Sequence, residues 1–598
     1  MTALLAAADP AGSRGLHLID YGVVLVYLLG VLGAGLYFSR QQTKSEDYFV
    51  GGRKMPWLAV GLSIMASLLS TLSYLASPGE MIKNGPAMAI GWLVVPFVFL
   101  VVSFLWLPFL MRLKLTSVYE YLDRRFGPRA GKLASCLFVF VLRLFWMGLI
   151  VMTASEAVAD ITYESITGFV GSGLSRESWT LAVLFSVGIL ATVYTVLGGI
   201  KAVIWTDVVQ TIILILGALL TLIIIASDTG TGPTDWWATI TSDEGGGHAM
   251  PPLWSWDLGE RNVIGFALLN SVFWYCCTFL GDQVAMQRYF STESLSAAIK
   301  SNIVNFSCDL IVMVLLAGCG MALLSYYLQD PAKVDPLRVH IPVIENVDAF
   351  ERLPDAQKKL ELKKARAAWK NRSSKDVLSH ENVADKVFPH FIGNGLPVGL
   401  SGLVVAALFA VAMSSLDSGI NSVSTVLTVD FFRKRRPNMS DAEELRLARK
   451  LSIGIGFGCT LLAVGLMFLP DHFNIIDVSS RTFNCALGPL AAMFLVGMFL
   501  PHVGETAVIV ATLAGTALAL IISWWTEILY VLQLTGADTL EEAIKTVAHP
   551  GTFLITPMAA TSTFLLAALL GALMKPPDLE AGRKLGWWAV VKEGSQDD

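Results

Sequence analysis

Residues 406–422 read AALFAVAMSSLDSGINS, an apolar helical stretch that gains three serines and an aspartate within five positions. On a helix, Ser414, Asp417 and Ser418 share one face because they are spaced i, i+3 and i+4. Ser415 projects about 100° further round the same helix. A carboxylate at membrane depth is costly unless a partner balances it, and hard cations prefer oxygen ligands. The stretch therefore predicts a cation site at a seam between helices.

The composition indicates a polytopic membrane protein. Of 598 residues, 54% are hydrophobic and 15% are charged, and the mean hydropathy is +0.61. Soluble domains contain about a quarter charged residues. The seven cysteines lie in apolar stretches without metal-ligand spacing, so we expect no resident cofactor. No zinc motif, nucleotide loop or nucleophile elbow stands out, so we expect neither an enzyme nor a nucleic-acid partner.

Runs of about 20 apolar residues, the length that crosses the hydrocarbon core, give about thirteen transmembrane helices. They cover residues 18–39, 56–83, 86–111, 131–160, 177–198, 201–226, 262–284, 301–327, 396–431, 447–469, 474–499, 504–533 and 551–574. Lys and Arg cluster in alternate loops, whereas residues 228–260 contain neither. The excess of positive charge on cytoplasmic loops predicts an outside N-terminus and a cytoplasmic C-terminus. We expect the plasma membrane, or the inner membrane in a bacterium.

Two of these spans carry signs of a broken helix. Ser70, Thr71 and Ser73 interrupt the second span, and the span at 262–284 ends on Gly281-Asp282-Gln283. Broken helices at matching places in two halves point to a midplane transport site built from inverted repeats. The sequence thus predicts two inverted five-helix repeats in an all-α membrane protein. The predicted division is a leading segment 1–55, repeats 56–226 and 262–499 separated by the loop 227–261, an insertion 329–392 with a surface helix at 355–365, trailing helices 500–574 and a tail 575–598.

Several ordered motifs agree with one known family. They are GGRKMPW at 51–57, GLSIMAS at 61–67, GGIKAVIWTDVVQ at 198–210, DQVAMQRY at 282–289 and the stretch 414–430. Together they resemble the solute:sodium symporter family, which includes sodium-coupled sugar, monocarboxylate, vitamin, iodide and sialic acid transporters. The resemblance implies a LeuT-type fold and alternating access, with Na+ as the coupling ion and a small-molecule solute as the cargo. A monomer can suffice for this function.

The resemblance also implies sodium ligands. The main site of the family corresponds here to the backbone carbonyls of Ala66, Leu69 and Val411 and the hydroxyls of Ser414 and Ser415. Unwound backbone and hydroxyls both supply neutral hard oxygens, so residue chemistry agrees.

Some members have a second sodium near the aspartate that corresponds to Asp207, and its other ligands correspond to Ser414, Asp417 and Ser418. Two close carboxylates repel unless a cation lies between them or one is protonated. This favours a second sodium site. The alternative for Asp207 is a carboxylate that caps a helix on the cytoplasmic side.

Arg143 and Arg481 lie inside predicted spans, where arginine is a functional candidate by default. Guanidinium groups bind carboxylates through paired hydrogen bonds. The resemblance to sialic acid-type members implies that Arg143 holds a substrate carboxylate. The alternative is that each arginine pairs with an internal acid, for which the available residues are Glu156, Asp160, Asp309 and Asp477.

Three further residues of the broken spans are candidates for the substrate pocket: Ser73, Tyr275 and Thr278. With the two arginines they favour an anionic, carboxylate-bearing solute. A sodium-coupled transporter of a neutral solute such as a sugar remains open, and so does a transporter-like sensor without net transport.

Overall fold

The computed structural model describes residues 16–40, 42, 44–170, 173–242, 248, 251–257, 263–340, 372–468, 475–534, 540, 551–574 and 579–592. Every regular element in these ranges is helical, which confirms the predicted all-α class. The predicted surface helix at 355–365 and most of the insertion around it lie outside the described residues.

The long helices follow the predicted spans. They are α1 (Leu18–Ser39), α2 (Trp57–Leu68), α3 (Thr71–Asn84), α4 (Ala89–Arg112), α5 (Pro128–Phe169), α6 (Arg176–Thr229), α7 (Ile264–Gly281), α8 (Gln283–Phe290), α9 (Leu295–Gln329), α10 (Leu400–Arg433), α11 (Asp441–Leu466), α12 (Ile475–Phe499), α13 (Glu505–Ser523), α14 (Trp525–Val531) and α15 (Ile555–Leu573). Short helices lie in the connections: Ser45–Val50, Glu120–Arg125, Pro233–Thr241, Ser374–Leu378, Glu381–Asn394, Leu579–Lys584 and Trp587–Lys592.

Helix α6 contains two membrane crossings that follow each other without an intervening loop. Its 54 residues, at about 1.5 Å per residue, are far longer than a hydrocarbon core of about 30 Å. Gly199 interrupts it with φ 53° and ψ −159°. Tyr194 and Asp207 lie on opposite sides of Gly199, yet both contact the same turn of α10. The chain therefore reverses direction at Gly199.

The number of crossings agrees with the sequence. The described residues contain 11 helices long and apolar enough to cross a membrane, or 12 if the bent pair α2–α3 forms one span. Because α6 is counted once there, its two arms bring the number to about thirteen. The bounds differ from the predicted ones: the span predicted at 131–160 extends to Pro128–Phe169, and the one predicted at 504–533 is broken at Trp524. Apolar runs mark the hydrocarbon core, whereas helices continue into the interface.

Both predicted helix breaks are present. Helix α2 ends at Leu68, and Leu69 and Ser70 are extended before α3 begins, with a bend of 59°. Asp282 is likewise extended, with φ −98° and ψ 116°, between α7 and α8. Breaks leave backbone carbonyls and N–H groups without helical partners. These groups are then available to ligands and side chains in the protein interior.

Helix α10 is the most enclosed of the candidate membrane-spanning helices in the described chain. In its most apolar 18-residue window 94% of residues are buried, against 22% for α1. Helices α2, α3, α5, α6 and α11 pack around it. Ser414, Ser415, Asp417 and Ser418 are all buried, so their polar groups face other helices and not lipid. This placement is what the opening stretch predicts.

We expect Gly199→Ala to destabilise the protein. A Cβ at this position would lie 2.8 Å from Cδ2 of Tyr48 and 3.0 Å from Nε2 of Gln42, and a left-handed backbone costs a non-glycine residue about 1–3 kcal/mol. Thermal unfolding of the purified protein should show a lower midpoint than wild type.

Gly30→Ala is the matched control, since nothing lies within 4 Å of the Cβ that it would add to α1. Equal unfolding midpoints for Gly199→Ala and Gly30→Ala would contradict a reversal that requires glycine.

Candidate sodium and substrate sites

The first helix break and α10 meet at Ser415. Its Oγ donates a hydrogen bond of 3.0 Å to the carbonyl oxygen of Leu69. That carbonyl faces α10 because residues 69 and 70 are extended. Two of the predicted ligands of the main sodium site, one carbonyl and one hydroxyl, are thus in direct contact.

The other three predicted ligands are buried on the two helices that make this contact. Ala66 is buried one turn before Leu69, and Val411 is buried one turn before Ser414 on α10. The Oγ of Ser414 lies 2.7 Å from Oδ1 of Asp207. The five residues are therefore buried on α10 and on α2 with the extended residue that follows it, and Ser415 and Leu69 are in direct contact. Neutral hard oxygens of carbonyls and hydroxyls suit a monovalent cation such as Na+.

The four residues predicted for a second site form one cluster. Ser414 donates to Asp207, and Ser418 Oγ donates to Oδ1 of Asp417 at 3.0 Å. Asp207 is 0% exposed and its carboxylate receives side-chain donors from neighbouring helices. It lies in the interior of the second arm of α6, so the alternative of a helix-capping carboxylate is wrong.

Arg288 is a charged residue of this cluster that was not predicted from the sequence. Its Nη2 lies 3.2 Å from Oδ2 of Asp207 and also donates to Ser418, and both charged side chains are 0% exposed. Its Nε donates to Ser63 Oγ at 2.7 Å, and that hydroxyl lies 2.5 Å from the same Asp207 oxygen. A signal existed, because Arg288 belongs to the DQVAMQRY motif. The sequence does not show which acid it meets.

Among the described residues, the hydrogen-bond partners of Asp417 are two hydroxyls. Tyr194, on the first arm of α6, donates its hydroxyl to Oδ2, and Ser418 donates to Oδ1. Within the described residues the cluster holds two carboxylates, of Asp207 and Asp417, and one guanidinium, of Arg288. With both acids ionised, one negative charge stays unbalanced in a fully buried place. Either a cation or a proton has to balance it.

Arg143 is buried and pairs with an internal acid, Asp282, which was not among the four acids named from the sequence. Its Nη2 bonds to Oδ2 of Asp282, the extended residue of the second helix break. Two of the acids named from the sequence have other partners: Asp160 pairs with Arg176 on the protein surface, and Asp309 accepts a hydrogen bond from Tyr275. The Nε of Arg143 is buried and has no hydrogen-bond partner in the described part of the chain.

Aromatic rings line the space beside Arg143. The guanidinium carbon lies 5.7 Å from the centre of the Phe483 ring and 6.0 Å from that of Phe138. Phe483 in turn contacts Trp146, with centroids 5.0 Å apart, and Trp274. Helices α5, α7 and α12 therefore meet around one arginine and its rings. Such a mixture of apolar walls and one strong polar group is typical of a small-molecule site.

The remaining substrate candidates make their hydrogen bonds to other described residues or to none, and not to Arg143. The Tyr275 hydroxyl donates to Oδ2 of Asp309 at 2.7 Å on α9. Ser73 bonds to Ser70 in the N-terminal cap of α3. Thr278 is 0% exposed, and its hydroxyl has no partner among the described residues. Of these three, the orphaned hydroxyl of Thr278 is the one that a ligand could satisfy.

Arg481 lies apart from the others. Its Nη1 lies 2.7 Å from Oε1 of Glu527 on α14, and its guanidinium lies 5.6 Å from the Trp524 ring. Glu527 is outside the predicted repeats and was not among the acids named from the sequence. This ion pair favours the alternative of a structural arginine at this position.

Comparisons with known proteins identify the family. The sequence model of the sodium:solute symporter family matches residues 48–350 and 365–515. The sodium/sialic acid symporter NanT of Aliivibrio fischeri is 27% identical over 503 residues, which cover 84% of this chain and 87% of that one. The sodium/sialic acid symporter SiaT of Proteus mirabilis is 28% identical over 83% of this chain and 88% of that one. The sodium-dependent multivitamin transporter of Oryctolagus cuniculus is 28% identical over 87% of this chain and 72% of that one.

A solved structure gives the same fold. A Na+-coupled sialic acid symporter in a substrate-bound, outward-open state superimposes with a TM-score of 0.69 at 24% identity, over 94% of this chain and 99% of that one. This likeness confirms the predicted LeuT-type fold. With a family match over most of its length, the chain belongs to the sodium:solute symporter family.

Proposed function

We propose that this protein imports a small carboxylate-bearing solute by alternating access, together with Na+ that flows inward down its gradient. The observation that carries the choice of solute is the buried guanidinium of Arg143, whose Nε lacks a partner among the described residues. A carboxylate is the ligand that satisfies such a group best. The bacterial relatives are named for sialic acid, which is itself a carboxylate.

The main sodium site consists of Ala66, Leu69, Val411, Ser414 and Ser415. The 3.0 Å contact from Ser415 to the Leu69 carbonyl supports it, because it brings together a broken helix and the enclosed helix α10. An ion that bridges these two elements stabilises the arrangement in which they touch. Its binding would therefore bias the equilibrium between conformations, which is how one gradient drives another.

The second sodium site consists of Asp207, Ser414, Asp417 and Ser418. The uneven count of buried charges supports it, because Arg288 balances only one of the two carboxylates. The hydroxyls of Ser414 and Ser418 supply the neutral oxygens that complete a shell for a small cation.

The solute would contact Arg143, with Thr278, Tyr275 and Ser73 as further pocket residues on the two broken helices. Arg481 was included from the sequence, and its pair with Glu527 argues against a direct contact. The repeats would be 56–226 and 262–499, each starting with a broken helix. We also propose a plasma-membrane location, with the N-terminus outside and the C-terminus in the cytoplasm, from the distribution of Lys and Arg.

Uptake into proteoliposomes with an imposed inward Na+ gradient tests the proposal. We expect saturable, Na+-dependent uptake of N-acetylneuraminate or a monocarboxylate such as pyruvate, and none when K+ replaces Na+. Uptake of glucose alone would favour a neutral solute. No Na+-dependent flux of any carboxylate, vitamin or sugar would favour a sensor and contradict the proposal.

Removing the hydroxyls of Ser414 and Ser415 tests the main sodium site. Each substitution removes one oxygen ligand of the ion, and we take the loss of one such polar contact to weaken binding by about 1 kcal/mol, the size of a typical hydrogen bond. We therefore expect Ser414→Ala/Ser415→Ala to raise the half-saturating Na+ concentration on the order of 10–30-fold. Ser424→Ala is the control, because this buried serine of α10 donates to the backbone of Asn421 away from the site. Equal Na+ dependence in both variants would remove these serines from the site.

Removing one charge tests the second sodium site. Asp417→Asn keeps the shape of the side chain but leaves Arg288 to balance Asp207 alone, so the need for another cation disappears. We expect the Hill coefficient for Na+ to fall from near two to near one, in uptake and in binding. Asp430→Asn, which neutralises another buried carboxylate of α10, should leave it unchanged. Equal coefficients near one in the wild-type protein and in Asp417→Asn, with one Na+ bound per chain at saturation in both, would dismiss the second site.

A further inference from the structure

The second helix break is held by contacts from three directions. The hydroxyl of Tyr119 donates to the carbonyl oxygen of Gly281 at 2.7 Å. The side-chain amide of Gln283 accepts from Val118 N and donates to Thr116 O, each at 2.8 Å. The third contact is the ion pair between Arg143 of α5 and Asp282. The end of α7 and the start of α8 are thus both bonded to residues 116–119, and Asp282 between them is bonded to Arg143.

The Arg143–Asp282 pair leaves the arginine incompletely bonded. A guanidinium can bind a carboxylate side-on, through Nε and Nη2 together. In this structure Nη2 is taken by Asp282, and Nε has no partner in the described chain although it is buried. A ligand carboxylate that used this edge would have to replace Asp282 at Nη2. The aspartate and the ligand therefore compete for the same edge of the same arginine.

Asp282 has a second partner that makes such an exchange feasible. Its Oδ1 accepts from the backbone N–H of Val284 at 2.9 Å, so it is the N-cap of α8. The positive end of a helix dipole stabilises a carboxylate at this position. When Arg143 leaves, Asp282 is still bonded at its helix N-terminus and is not left as an isolated buried charge.

We propose that Asp282 is a specificity-determining residue that acts through Arg143. This role rests on the proposed transport of a carboxylate. Asp282 occupies Nη2 of Arg143 until the carboxylate of the ligand displaces it. An anionic ligand replaces one carboxylate by another at Arg143 and so releases one of the three contacts that hold the junction of α7 and α8. A neutral ligand offers no such replacement, so the ion pair and the junction stay closed.

Equilibrium binding of N-acetylneuraminate and of pyruvate to the purified full-length protein in NaCl tests the competition. Asp282→Asn keeps an N-cap residue and removes the competing charge. We expect the dissociation constant for at least one of the two carboxylates to fall on the order of tenfold. Asp282→Ser, which also keeps an N-cap hydroxyl, should act in the same direction. A purely structural ion pair predicts the opposite, a lower melting temperature with equal or weaker binding.

Two further variants separate the outcomes. Asp160→Asn, which breaks the Asp160–Arg176 pair elsewhere in the protein, should leave both dissociation constants unchanged. In Arg143→Gln/Asp282→Asn, thermal stability lost in Arg143→Gln should return while carboxylate binding stays absent. Unchanged or weaker binding in folded Asp282→Asn and Asp282→Ser overturns the role of Asp282 alone. Wild-type binding by Arg143→Gln, or binding of neither carboxylate by the wild-type protein, overturns the proposed solute and this inference together.

Discussion

A buried charge inside a membrane protein must be balanced nearby, and this constraint organises the centre of the molecule. Asp207, Asp417 and Arg288 are fully buried where α2, α6, α8 and α10 meet. Removing one partner of a buried pair costs about 3–5 kcal/mol, so these helices can separate only if the charges remain balanced. Arg288 pairs with Asp207 and reaches Ser418, while the hydrogen bonds that Asp417 accepts in the described structure come from hydroxyls. The remaining negative charge favours the binding of Na+ in the protein interior.

The same constraint explains why the helix breaks matter. Where α2 gives way to extended residues, the Leu69 carbonyl reaches Ser415 of α10. Where α7 gives way to α8, Asp282 reaches Arg143 of α5. Each break therefore exchanges internal helix bonds for bonds to a neighbouring helix. Ions and solutes that compete for those bonds can shift the position of the broken helices, which is the differential interaction that coupled transport requires.

Much of this architecture could be predicted from the sequence. Apolar runs, the interruption before Thr71 and the serine–aspartate spacing on α10 are local patterns, and the structure has each of them. The ion partners could not be predicted, because Arg143 meets Asp282 and Arg288 meets Asp207 across long stretches of chain. Asp282 and Glu527 also lie inside predicted spans, 262–284 and 504–533, but the sequence does not show which acid each arginine meets. The two crossings of α6 were predicted correctly, but the single residue at which they join, Gly199, depends on a backbone conformation that apolar periodicity does not report.

Direct counting of bound ²²Na+ on the purified protein, without any solute, tests whether sodium balances the buried charges of Asp207, Asp417 and Arg288. Saturable binding of two ions per chain, reduced to one by Asp417→Asn and not displaced by excess K+, is the result that the buried cluster predicts. Absence of saturable ²²Na+ binding in a folded wild-type protein would contradict it, because the unbalanced carboxylate would then be neutralised without sodium.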